Sequence, residues 1–348
     1  MRSILLRACV SAEYLDITAS AGLMAANTVM GRDWTGNSPM RLPDTDVVIV
    51  DPRFAGYKAF TYQIERLWTG GKFTEGPVWI GDGHYLLFSD VNADKMLRWS
   101  EETGQVTIFR SPANHCNGNI RDRQGRLITC EHGPRRVVRT EYDGSVSVLV
   151  DKFQGKRFNS PNDLAVHQDG GIWFTDPIYG LSDLPVGAGK AASELKPATY
   201  RIDPKSGAVA MMSDEIPMPN GICFSPDFKK LYVVDTGDAS PHGVYVFDVV
   251  DGIRATNRGL LIDAGKGFFD GIKCDVDGNI WAGAGWAGEG YDGAHCYAPD
   301  ATLLGKILLP ETCANLCFGG VKGNRLFMTA TNSLYAVYLE TRGAALPQ

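Results

Sequence analysis

Asp270-Gly271-Ile272-Lys273-Cys274-Asp275-Val276-Asp277-Gly278-Asn279-Ile280-Trp281-Ala282 holds one structural unit in a single stretch. A polar residue opens it, a short apolar run follows, Asp277-Gly278 turns the chain, and Asn279–Ala282 reads as a second strand. A third run, Gly293–Tyr297, follows. Equivalent second strands are Tyr85–Ser89, Leu127–Cys130, Gly171–Thr175, Lys230–Val234 and Arg325–Thr329. Third strands recur at Lys95–Trp99, Val137–Tyr142, Ala198–Ile202, Gly243–Phe247 and Ser333–Val337.

The polar residues that open these units are Glu75, Asn117, Asn162, Asn220, Asp270 and Asn315, at intervals of 42, 45, 58, 50 and 45 residues. Such intervals suit a propeller blade of four short strands, with an insertion before Asn220. The sequence therefore predicts an all-β, six-bladed β-propeller with an N-terminal extension: an arm over residues 1–40 and a propeller domain over 41–348. Asp46–Val50 is the expected outer strand that closes the ring against the last blade. A stacked solenoid is the rival, but it needs terminal caps that the chain does not display.

Composition narrows the function classes. With 34 Lys+Arg against 40 Asp+Glu the formal charge is -6, which offers no basic surface for a nucleic-acid backbone. No apolar run is long enough for a membrane helix. Arg7, Glu13 and Asp16 interrupt the apolar start at Ile4-Leu5-Leu6, so a cytoplasmic location is expected, with the periplasm as alternative. The eight cysteines form no zinc-site pattern and read as small core hydrophobes. Neither a phosphate loop nor a Gly-x-Ser-x-Gly elbow is present.

In a propeller the first strand of each blade lines the central channel, so the six opening residues converge at one mouth. Taken singly, each is explained as a strand cap. Their shared register favours a binding site, because buried polar groups need a ligand, water or one another. Glu75 and Asp270 bring carboxylate oxygens, and Asn162 and Asn220 bring amide oxygens. An all-oxygen set suits a hard divalent cation, Ca²⁺ foremost, with Mg²⁺, Mn²⁺ or Zn²⁺ as alternatives.

Four stretches then carry a family resemblance. Phe73-Thr74-Glu75-Gly76-Pro77-Val78-Trp79, Arg157-Phe158-Asn159-Ser160-Pro161-Asn162-Asp163-Leu164, Pro219-Asn220-Gly221-Ile222 and Phe269-Asp270-Gly271-Ile272 resemble the SMP-30/gluconolactonase/luciferin-regenerating-enzyme family. With Thr175-Asp176-Pro177-Ile178-Tyr179-Gly180 they are most similar to its bacterial gluconolactonase branch. The resemblance implies a six-bladed propeller, a divalent metal held by Glu75, Asn162, Asn220 and Asp270, and hydrolysis of a sugar lactone.

On this reading the cation polarises the lactone carbonyl and an activated water opens the ring. Asp270 is the leading candidate for the base, and His132 the competing one. Asn117, Arg157 and Asn159 are the expected substrate-binding residues, although Asn159 also suits a purely structural role in the turn before Pro161. A monomer or small homo-oligomer acting on a small molecule is expected. The alternatives are a binding or regulatory propeller with a structural metal, a hydrolase of another lactone or ester, and quinone-dependent sugar oxidation.

Overall fold

The computed structural model describes Trp34 and residues 42–182, 187–238 and 241–344. The expected arm over 1–40, Trp34 apart, lies outside them, as does Cys9. Six antiparallel sheets of four or five strands form the ring, and a two-stranded ribbon, Lys152–Phe153 with Lys156–Arg157, sits between the second and third. Among the described residues the only helical segments are 3-10 turns, and no helix is long and apolar enough to cross a membrane.

The blades follow the sequence repeat. Their innermost strands are Thr74–Ile80, Cys116–Arg121, Leu164–Val166, Pro219–Phe224, Phe268–Cys274 and Cys313–Gly319. The chain then runs outward through each sheet, so every second strand ends at the face where the innermost strand begins. Alternation puts apolar side chains on both faces of each sheet, and neighbouring blades bury them against one another. Between the first and last blades, for example, Trp79 stacks on Phe327 at 5.5 Å and 12°. Phe158, Phe174 and Tyr200 fill the gap between the second and third blades.

Closure differs from the expectation. Glu65–Thr69 is the strand that completes the last blade, pairing with Ser333–Tyr338. Val47–Ile49 instead adds a fifth strand to the preceding blade, against Leu303–Leu308. Arg325 explains the choice physically. Its guanidinium reaches Glu65 Oε2 at 2.5 Å and lies over the rings of Trp99, Phe327 and Tyr338. The Val47–Ile49 edge is fixed separately by Lys58 Nζ, which donates to the Val47 carbonyl at 2.7 Å. The seven described cysteines are free and buried, in keeping with core packing.

Candidate active site at the channel mouth

The opening residues are placed by irregularities at the start of the innermost strands. Pairing with the second strand slips between Glu75 and Val78, Cys116 and Asn119, Pro219 and Ile222, Phe269 and Ile272, and Cys313 and Asn315. A bulge of this kind re-aims a side chain and ends regular pairing. The glycine that follows in four of the blades has its own cause. A Cβ on Gly76 would lie 2.0 Å from the Asn117 carbonyl oxygen, and one on Gly221 would lie 2.0 Å from that of Asp270. The bare backbone lets adjacent innermost strands touch at the mouth.

Second-strand residues brace the ring from outside. Ser89 Oγ donates to the Asn117 carbonyl, and Thr175 Oγ1 to the Asn220 carbonyl, each at 2.7 Å. An acid at the end of the second strand takes backbone N–H groups from the connection that leads into its blade. Asp176 accepts from Asn159 N and Ser160 N at 2.8 Å, and Asp235 accepts from Met218 N at 3.1 Å, besides Gly237 N in the loop just beyond it at 2.9 Å. Asp90 does the same for Lys72 and Phe73. Buried with only backbone donors, the Asp176 carboxyl is pushed up to about 7 by desolvation.

All six opening residues are buried at the mouth. Glu75 Oε2 accepts from Gly76 N at 2.7 Å and from Asn315 Nδ2 at 3.0 Å. Burial nevertheless raises the Glu75 carboxyl to about 7, with the charge of Asp163 adding to it. Asp270 is raised well above the usual carboxylate range, first by burial and then by the Glu75 charge, while an Asn220 side-chain hydrogen bond pulls it back. Two carboxyls in this position do not both ionise readily. Lys273 Nζ lies 3.5 Å from Asp163 Oδ2; burial opposes its charge, but Asp163 holds the ammonium above its ordinary value.

The amides around this pair are unevenly satisfied. The side-chain oxygens of Asn117 and Asn220 are buried without a hydrogen-bond partner. The Asn117 Nδ2 lies 3.3 Å from His132 Nε2, so with the amide nitrogen donating, that imidazole nitrogen is the acceptor. His132 is itself buried, with its backbone N–H on the His115 carbonyl. The site thus presents acceptors in search of donors, beside two carboxyls whose neutral forms burial favours.

The other expected site residues stand elsewhere. Arg157 is exposed on the ribbon, with its guanidinium on the Pro134 carbonyl at 3.2 Å and its backbone N–H on Glu194. Asn159 is fully buried, and its amide is occupied: Nδ2 donates to the Leu195 carbonyl at 3.0 Å and Oδ1 accepts from Ser193 Oγ at 2.7 Å. It anchors the loop before Pro161. The hydroxyl of Tyr179 bonds Thr236 Oγ1 and so ties the third blade's mouth loop to the fourth blade. Sequence reading left Asn315 without a task, although this residue supports Glu75; its place in the repeat was the available signal.

The expected cation site requires correction. Among the described residues, no group of three or more histidine, cysteine, aspartate or glutamate side chains is placed to hold a metal ion. Of the four proposed ligands only Glu75 and Asp270 are anionic. One Glu75 oxygen is already held by two donors, and Asp270 takes a hydrogen bond from Asn220. The set does not fit the predicted Ca²⁺ centre, nor its Mg²⁺, Mn²⁺ or Zn²⁺ variants, and the metal-polarised carbonyl and metal-dependent lactonase falls with it.

Comparison with known proteins agrees with the fold and with the family resemblance. Residues 73–332 match the SMP-30/Gluconolactonase/LRE-like region. The chain is 31% identical to a gluconolactonase of Zymomonas mobilis, over 97% of this chain and 98% of the relative. A solved gluconolactonase from Xanthomonas campestris is similar at 34% identity and a TM-score of 0.77, covering 84% of this chain and 94% of that one. A luciferin-regenerating enzyme shares the fold, at 19% identity and a TM-score of 0.67, covering 82% of this chain and all of that one (100%).

Proposed function

Because the chain belongs to the SMP-30/gluconolactonase/LRE-like family, we propose that it is a gluconolactonase-like hydrolase that opens a sugar lactone with a pair of carboxyl groups, residues 41–348 acting as one catalytic unit. The observation that carries this reading is the buried pair Glu75 and Asp270, each raised in pKa, beside the partnerless oxygens of Asn117 and Asn220.

The chemistry needs one proton on the pair. One carboxylate takes a proton from water as the water oxygen attacks the lactone carbonyl carbon. The protonated partner donates to the ring oxygen as the carbon–oxygen bond breaks, giving the hydroxy acid. Glu75, whose charged form Gly76 N and Asn315 stabilise, is the base in this reading, and Asp270, which burial and the Glu75 charge push up, is the acid. The Asn117 and Asn220 oxygens accept from ring hydroxyls, which bind the substrate only if it carries them. His132 orients Asn117, and Arg157 at the surface attracts the substrate's oxygen-rich edge.

Acid release from glucono-1,5-lactone and unsubstituted lactones, measured with and without EDTA, tests the proposal. Expected is turnover that survives EDTA and falls roughly 10²–10⁴-fold in Asp270→Asn at unchanged Tm. No turnover of any lactone by folded protein would sink the hydrolase reading. Turnover abolished by EDTA and restored by a divalent ion would sink the carboxyl-pair chemistry alone.

A further inference from the structure

Trp286 has a backbone that a tryptophan adopts only under constraint. Its φ is +61°, in the left-handed region that a bulky side chain rarely adopts and glycine enters freely. Glycine is plentiful nearby, at Gly283, Gly285, Gly288 and Gly290. The residue directly follows the second strand of the fifth blade, on the mouth face. The corresponding residues of the first four blades, Val91, His132, Pro177 and Thr236, are buried and none has a positive φ. Trp286 is only half-buried.

The surrounding loop holds the strained residue in place. Trp286 N donates to Thr312 Oγ1 at 3.2 Å, and Gly285 can carry no Cβ because Thr312 Cγ2 would lie 2.1 Å away. Ala287 N and Gly288 N both donate to Asp292 Oδ1, at 3.1 and 2.8 Å. The indole meets the edge of Phe268, centroids 6.3 Å apart, and Phe268 stacks on His242 at 4.6 Å. Phe268 lies in the same strand as Asp270, so this aromatic group is tied to the strand that carries one of the two carboxyls.

We propose that Trp286 is a substrate-binding platform that stacks against the C–H face of a sugar-derived ring. The inference rests on the lactonase reading and specifies which substrates it admits. A sugar ring has hydroxyl edges and apolar faces. Asn117 and Asn220 meet the edges, and without Trp286 nothing assigned to the site meets a face. A half-exposed indole supplies flat apolar area with little conformational freedom to lose. Strain maintained by several hydrogen bonds is what a residue retained for position, rather than for folding, requires.

The test compares wild-type protein with Trp286→Gly and Trp286→Phe. For glucono-1,5-lactone, Trp286→Gly is expected to raise KM about 10-fold with kcat within about twofold, and to keep or raise Tm, since glycine relieves the strain. Trp286→Phe should recover most of the KM. Titration with the unreactive glucono-1,5-lactam should quench tryptophan fluorescence in the wild type and much less in Trp286→Phe. Unchanged KM and lactam affinity in Trp286→Gly would overturn the platform while leaving the lactonase reading intact. A joint loss of Tm and kcat would make Trp286 a structural wedge and overturn it too. Absence of lactone turnover by wild-type protein defeats both readings.

Discussion

Asn315 Nδ2 donates to Glu75 Oε2 at 3.0 Å, so the last blade of the ring holds the carboxyl group of the first. The same Asn315 fills the space over Gly271, where a Cβ would lie 2.1 Å from its Cγ, next to Asp270. One amide therefore stands between the blades that carry the two carboxyls.

That amide stabilises the charged form of Glu75 and lowers its pKa. Asn315→Ala removes the donor, so Glu75 should ionise at a pH above its present value of about 7. The limb of the pH–kcat profile that reports Glu75 should move to higher pH, and Asn315→Gln should restore part of it. An unmoved profile would separate Glu75 from the proton transfer.

The two partnerless amide oxygens should respond differently to truncation. Asn117→Ala loses a substrate contact and is expected to raise KM by roughly 2- to 12-fold. Asn220→Ala loses that contact and also the hydrogen bond to Asp270, so kcat should fall as well. Initial-rate kinetics on a polyhydroxy lactone decides this; equal effects on both constants in both variants would refute the division of labour.

Asp176 should make stability depend on pH. Its folded pKa of about 7 lies above the roughly 3.9 of an unfolded aspartate. Between these values the folded state binds more protons than the unfolded one, so the contribution of Asp176 falls as pH rises from about 4 to about 7 and is level above that. Asp176→Asn should abolish that slope. With a single acceptor oxygen for Asn159 N and Ser160 N, it should also cost about 1–3 kcal/mol at low pH. Urea unfolding of both proteins at pH 4.5 and 7.5 gives the comparison, and parallel losses would show that Asp176 does not titrate there.

Ring closure should depend on Arg325 more than on its partner. Arg325→Ala removes packing against three aromatic rings as well as the ion pair, at an expected cost of about 2 kcal/mol. Glu65→Gln should cost under about 1 kcal/mol, because the Glu65 side chain is 44% exposed. Denaturant midpoints check both; equal losses would place the energy in the charge pair.

Much of the ring was legible because its repeat is chemical as well as geometric. Glu75-Gly76, Asn117-Gly118, Asn220-Gly221 and Asp270-Gly271 each combine a polar side chain with the missing Cβ that lets the next strand approach. The closing strand was not legible. Val47-Val48-Ile49 has the stronger strand composition, yet Glu65-Arg66-Leu67-Trp68-Thr69 closes the ring through partners at Arg325 and Ser333–Tyr338, far along the chain. The predicted cation site failed for a related reason. Sequence supplies the oxygens but not the donors already attached to them, such as Gly76 N and Asn315 on Glu75. The same limit applies to Asn159, which is consumed by Ser193 and Leu195. The strain at Trp286 is a dihedral angle and leaves no compositional trace.

Pairing Glu65–Thr69 with Ser333–Tyr338 gives the molecule a long wait during synthesis. A chain emerging from the ribosome makes the first strand of that pair 264 to 271 residues before its partner, from Thr69↔Ser333 to Glu65↔Ala336. Through that interval the early strand has a bare edge, open to strands of neighbouring nascent chains. The charged Glu65 and Arg66 at its start then act as a guard against premature pairing. The polarity at its start is what lets this segment remain single until the ring can shut.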